Sequence, residues 1–192
     1  MGDQAHRPPR RLILVKHGHP DIRPDAPPGT WTLSDEGRAA VAALAGRLGR
    51  FAPTGLASSE EPKAVESASI IGKALGLEPR RDAGLGEQRN EQGGFLERQL
   101  FEGLVARMFD HPDELVLGEE TGAAARDRFA QALDRQMAMT PGGGLVIVSH
   151  GRVICLWAAK TLGLDAMSLW RQLDLATALV IEEDAETFEI VG

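Results

Sequence analysis

Two aliphatic runs stand out along the chain, Leu12-Ile13-Leu14-Val15 and Leu145-Val146-Ile147-Val148. Neither alternates with polar residues, so both read as strands buried on both faces of a sheet. Between them the pattern is largely helical. After Ser34, an N-cap residue followed by Asp35 and Glu36, the apolar residues Val41, Leu44 and Leu48 recur at helical spacing. That helix should end within 49–51. Thr54 to Ser59 reads as a short strand and turn. Pro62 opens the next helix, which should run to Leu75 and stop at Gly76. A short strand is expected within 78–85, a polar loop over 86–94, and helices near 95–109, 121–139 and 152–162. Pro20, Pro24, Pro27, Pro28 and Gly29 make the stretch up to Trp31 a long loop. The segments 178–182 and 187–191 read as a hairpin around Asp184-Ala185. Strands alternating with helices imply an α/β fold, a three-layer α/β/α sandwich with a mostly parallel central sheet.

Composition narrows the class. At 192 residues the chain suits one domain, expected over 11–192 behind a flexible, basic, proline-bearing tail at 1–10. The net charge of −7 argues against non-specific nucleic-acid binding and makes any local basic pocket conspicuous. Cys155 is the single cysteine, so no internal disulfide forms. There is no apolar run of membrane-spanning length and no signal-peptide pattern, and a cytoplasmic location is expected.

The chemistry gathers at the strand ends. His17-Gly18 and His150-Gly151 each directly follow an aliphatic run. In open α/β sheets ligands bind at the carboxyl ends of strands, and each glycine would let backbone approach a ligand closely. A helix starting after His150 would offer backbone N–H groups to an anion. Lys16 stands beside His17, and Lys63 near the start of another helix. Two histidines, two lysines and helix N-termini together describe a phosphate site.

Five segments in order then resemble the histidine phosphatase (phosphoglycerate mutase-like) superfamily. They are Val15-Lys16-His17-Gly18, Leu33-Ser34-Asp35-Glu36-Gly37, the run from Ser58-Ser59 through Lys63-Ala64 to Ser67-Ala68, Leu85-Gly86-Glu87, and Val148-Ser149-His150-Gly151. The resemblance implies metal-independent hydrolysis of phosphomonoesters. His17 would take the phosphoryl group as a phosphohistidine. His150, Lys16, Lys63 and Gly151 would bind the phosphate, and Glu87 would protonate the leaving oxygen. No cofactor and no metal are implied. The expected partner is a small phosphorylated substrate or phosphate itself, with no nucleic acid or membrane, in a monomer or homodimer. A phosphatase is favoured over a mutase because the cofactor-dependent mutases carry a larger insertion before the last motif.

The chain departs from the family at the two lysines, where arginine is usual. Lys16 and Lys63 are two of only four lysines, beside 17 arginines. Lysine keeps the charge and loses the planar fork that grips two phosphate oxygens. The paired change suggests a pocket rebuilt as a unit. It would lower the rate on a different ester, call in another arginine from among Arg89, Arg152 and Arg23, or leave a site that binds an anion without turnover. By position, Arg152 reads as a solvated helix residue and Arg23 as a loop charge. His19 and Arg89 are candidate substrate contacts. A metal-dependent hydrolase built on His17, His19 and Asp21 is the remaining alternative, since His-x-His is a metal-ligand spacing. The segments 20–31 and 86–111 should cover the pocket. With no tyrosine a base-stacking pocket is not suggested, although Trp31, Phe95 and Phe101 fall in those segments.

Overall fold

In the computed structural model, which describes residues 11–90, 96–182 and 187–192, the two aliphatic runs lie side by side in the middle of a six-stranded sheet. The strands are β1 (Arg11–Lys16), β2 (Pro53–Ser58), β3 (Arg80–Arg81), β4 (Gly144–Ser149), β5 (Ala178–Glu182) and β6 (Phe188–Val191), in the order β3-β2-β4-β1-β5-β6. β1 to β4 run parallel, and β5 and β6 add an antiparallel edge. The helices are α1 (Asp35–Leu48), α2 (Pro62–Leu75), α3 (Arg98–Asp110), α4 (Gly122–Ala138), α5 (Gly151–Leu162) and α6 (Ala166–Gln172).

The aliphatic runs do not alternate because both faces of their strands are covered. Ile13, Val15, Val146 and Val148 pack with Val41 and Leu44 of α1 and Ala68 and Ile71 of α2. Leu12, Leu14, Leu145 and Ile147 pack on the other face with Phe129 and Leu133 of α4, Val153 and Ile154 of α5, and Leu169 of α6. Each large aliphatic side chain removed from water in these layers is worth roughly 1.5–3 kcal/mol before conformational entropy is subtracted.

Local signals set most helix ends. The Ser34 hydroxyl accepts the Gly37 N–H at 3.0 Å, and Gly76 closes α2 at φ +69°. Some expectations shift. Only Arg80–Arg81 of the segment 78–85 pairs as a strand; Asp82 then caps the Gly84 N–H and the chain turns through a 3-10 helix at Ala83–Leu85. α3 begins at Arg98, and α5 already at Gly151. α6 is an additional helix, started by Asp165 accepting the Ser168 N–H at 2.7 Å. The tail at 1–10, Phe95 and the Asp184-Ala185 turn lie outside the described residues. Among the described residues no helix is long and apolar enough to cross a membrane.

Candidate active site

Strand register brings the histidines together. Lys16 of β1 pairs with Ser149 of β4, so the next residue of each strand leaves the sheet at the same level. The His17 N–H donates to the Ser149 carbonyl at 3.1 Å, and the two imidazoles stand edge to face with centroids 5.1 Å apart. β2 adds a third member. Ser58 pairs with Val148, and the Ser59 N–H donates to the Val148 carbonyl, which brings the Ser59 hydroxyl to 2.8 Å from His150 Nε2. His17 and His150 are both buried.

The tautomer of His17 follows from its partner. Nδ1 lies 2.7 Å from the Gly18 carbonyl oxygen, which can only accept. The ring proton therefore sits on Nδ1, and Nε2 keeps its lone pair. Burial, with His150 and Lys63 close by, holds the imidazole pKa well below its ordinary value. His17 is a neutral base at physiological pH. Its position is set from behind: the Gly18 N–H donates to the Ser67 hydroxyl of α2, and that hydroxyl donates to the Lys63 carbonyl.

Lys63, in the first turn of α2, is buried and makes two hydrogen bonds, to the Glu61 carboxylate at 2.6 Å and to the Pro28 carbonyl at 2.8 Å. The second bond ties the proline-rich loop to the site. The first shows a residue that motif reasoning passed over. Glu61 occupies the N-cap position of α2 yet makes no side-chain cap there. One oxygen faces Lys63. The other lies 3.1 Å from His150 Nε2 and accepts the Glu87 backbone N–H at 2.9 Å. The same Nε2 has the Ser59 hydroxyl, which can donate or accept, as its hydrogen-bond partner. His150 is kept neutral chiefly by burial, and then by Lys63, with its pKa lowered to about 3. Its Nδ1 is buried without a hydrogen-bond partner among the described residues. The available signal for Glu61 was a carboxylate two residues before a candidate phosphate-binding lysine.

The start of α5 is also occupied. Glu87 accepts the N–H groups of Arg152 and Val153, both at 3.2 Å, and that of Gln88 at 2.9 Å. The helix terminus expected to meet a phosphate thus meets an internal carboxylate, as the helix dipole favours. Arg152 corrects its reading as a solvated helix residue. It is buried, donates from Nη2 to the Gln88 carbonyl at 3.0 Å, and holds Nε 3.6 Å from Glu87.

Lys16 sits elsewhere. Its amine donates to the Leu173 carbonyl at 2.9 Å and lies over the Trp170 ring, within the layer formed by α5 and α6. Successive strand residues point to opposite faces, so Lys16 diverges from Val15, and its charge still reaches Glu87. The two motif glycines serve packing within the chain. A Cβ on Gly151 would lie 3.2 Å from Lys16 Cε, and one on Gly18 would lie 2.7 Å from both the Gly37 carbonyl oxygen and Val41 Cγ2.

The remaining candidates are scattered. His19 is half-buried, and its carbonyl accepts from Ser34 of the α1 cap. Arg89 is exposed, with its backbone bound to Glu119 and Glu120. Arg23 pairs with Asp21 in the exposed loop. Among the described residues no three His, Cys, Asp or Glu side chains gather in a metal-binding group. A cavity of about 400 Å³ adjoins the site through Glu61 and Glu87. Ile22, Pro28, Trp31, Leu96 and Phe101 supply its apolar walls, and Arg98 and Arg152 its cations. Both covering segments contribute to it, and two aromatic rings line it in a chain whose composition did not suggest such a pocket.

No curated protein matches the chain by sequence. Among solved structures it is similar to a mycobacterial glucosyl-3-phosphoglycerate phosphatase, at 22% identity and TM-score 0.74, with 94% of this chain and 96% of that chain covered. Bacillus stearothermophilus YhfR matches at 21% identity and TM-score 0.73, over 94% and 95% of the two chains. A phosphoserine phosphatase mutant from Entamoeba histolytica, in complex with phosphoserine, matches at 16% identity and TM-score 0.72, over 95% of each. These likenesses establish the fold. The profile of the histidine phosphatase superfamily (branch 1) matches residues 12–192, and the chain belongs to that superfamily.

Proposed function

We propose that the protein hydrolyses phosphomonoesters, without a metal, through a phosphohistidine on His17. Membership of the superfamily supports phosphoester hydrolysis as the class of reaction. The observation that carries the finer reading is the His17 ring, buried and neutral, with Nδ1–H spent on the Gly18 carbonyl and the Nε2 lone pair left as nucleophile. In the first step Nε2 attacks phosphorus and the bond to the ester oxygen breaks. Glu87, entering the step as the acid rather than as the carboxylate that accepts the α5 N–H groups, gives that oxygen its proton, and the alcohol leaves. In the second, water attacks phosphorus, the P–N bond breaks, and Glu87 recovers a proton. Phosphate departs and His17 is restored. Lys63 and His150 hold the phosphoryl oxygens, with the start of α5 at Gly151 beside them. The substrate is small, with its alcohol portion in the cavity beside Glu61 and Glu87. The acidic net charge and single cysteine favour a cytoplasmic enzyme with no nucleic-acid partner.

A second reading, an anion-binding protein with little turnover, draws on Lys16 being directed to Leu173 and on Glu61 lying against Lys63 and His150. One experiment separates them. A generic aryl phosphate, mixed with metal-free protein and quenched rapidly, should leave an acid-labile, base-stable phosphoenzyme. His17→Ala should abolish it and cut turnover at least about a thousandfold. Phosphate binding with no phosphoenzyme and no turnover would leave only the second reading.

A further inference from the structure

We infer that Glu61 is a specificity-determining residue, a carboxylate lodged in the phosphoryl cradle that a substrate must displace. The inference rests on the hydrolase reading of the same site. Two donors suited to a phosphoryl oxygen already hold Glu61, the Lys63 amine at 2.6 Å and the Glu87 backbone N–H at 2.9 Å, and His150 Nε2 lies 3.1 Å from it. Glu61 reaches them because its side chain leaves the α2 N-terminus uncapped, and Pro62 behind it has no N–H to offer. It also faces His17 electrostatically.

A bare phosphate gains little by entering. It exchanges one anion for another on Lys63 and His150, and it meets the carboxylate it has pushed aside. An ester with an apolar body has a second source of binding energy. Glu61 also borders the cavity walled by Pro28, Trp31, Leu96 and Phe101, so a body seated there can offset the displacement. The substrate class is therefore a phosphomonoester of a bulky, largely apolar alcohol. Phosphate and very small esters are disfavoured by the protein's own charge.

The test uses the full chain and inorganic phosphate, followed by calorimetry, with Glu61→Gln and Glu61→Leu as variants. Both should bind phosphate roughly tenfold more tightly or better, as expected when a like charge about 4 Å from a bound anion is removed. The KM values of naphthyl phosphate and methyl phosphate should both fall, since each ester displaces the same carboxylate, while kcat changes less. Phosphate binding that is unchanged or weaker in both folded variants would overturn the inference. If neither variant folds, the wild-type protein decides. A naphthyl phosphonate should bind roughly tenfold more tightly than phosphate, and equal affinity would refute the claim. These binding measurements do not require turnover. Absence of a phosphoenzyme would therefore defeat the hydrolase reading while leaving the displacement test intact.

Discussion

Lys16 and Lys63 stand in two of the five motif segments, yet they live in different surroundings. Lys63 has a carboxylate at 2.6 Å, a loop carbonyl at 2.8 Å and the histidine pair alongside. Lys16 has a carbonyl and an indole ring, and burial lowers its pKa. One lysine belongs to a charge network that reaches His17. The other fills a slot beneath Gly151. A change of cation type acquires its meaning from the partner supplied, and Glu61 is supplied only to Lys63.

The sharpest way to break this contrast is Lys63→Met. It should lose at least about a hundredfold in turnover and about 3–5 kcal/mol in stability, because it strands the Glu61 carboxylate in a largely buried setting. Denaturant unfolding and steady-state kinetics would check both. Acid should act next on the same side of the comparison. The imidazoles of His17 and His150 have pKa values lowered by burial, so below pH 6.5 the unfolded chain takes up protons that the native fold refuses. Stability is full above that pH and falls beneath it by roughly 1.4 kcal/mol per pH unit for each imidazole. The His150 contribution levels off near its folded value of about 3. Urea titrations from pH 7 to pH 4 should show the decline, and a flat profile would contradict the buried neutral pair.

Lys16 carries the opposite signature. Its pKa is lowered from 10.5, so its burial penalty is constant near neutrality and is relieved as pH rises through the folded value. Stability should climb slightly in mild alkali, and Lys16→Met should remove the climb. The same variant gives the smallest effect. Its stability at pH 7 should stay within about 1 kcal/mol of wild type, since replacing a buried cation by a similar apolar side chain is often neutral. Phosphate affinity should change less than roughly threefold, because the Lys16 amine is already held by the Leu173 carbonyl. Equal losses from Lys16→Met and Lys63→Met would erase the distinction.

The central strands and the meeting of the histidines were legible because doubly buried strands need unbroken aliphatic runs, and a residue just past each run lies at the sheet's carboxyl edge. The direction of Lys16 was not legible, since neighbours in sequence diverge by face and the deciding contact, Leu173, is far along the chain. Arg152 misled for a related reason. Position on a helix says little about burial when a loop such as 86–90 folds over the first turn. Glu61 was hidden because a carboxylate at a helix start usually caps that helix, and only its approach to His150, 89 positions away, reveals another use. The segment 78–85 yielded one short bridge because its turn chemistry, carried by Asp82, outweighed its strand tendency.

The contact between Gly18 and α1 works in both directions. A methyl on Gly37 would lie 2.2 Å from the His19 carbonyl oxygen, and one on Gly18 would strike the Gly37 carbonyl in turn. Backbone rests on backbone there, with no flexible side chain to absorb an error. The helix that opens at Ser34 is therefore a fixed abutment for the strand end that carries His17. A methyl group added to it would displace His17 by way of the backbone alone.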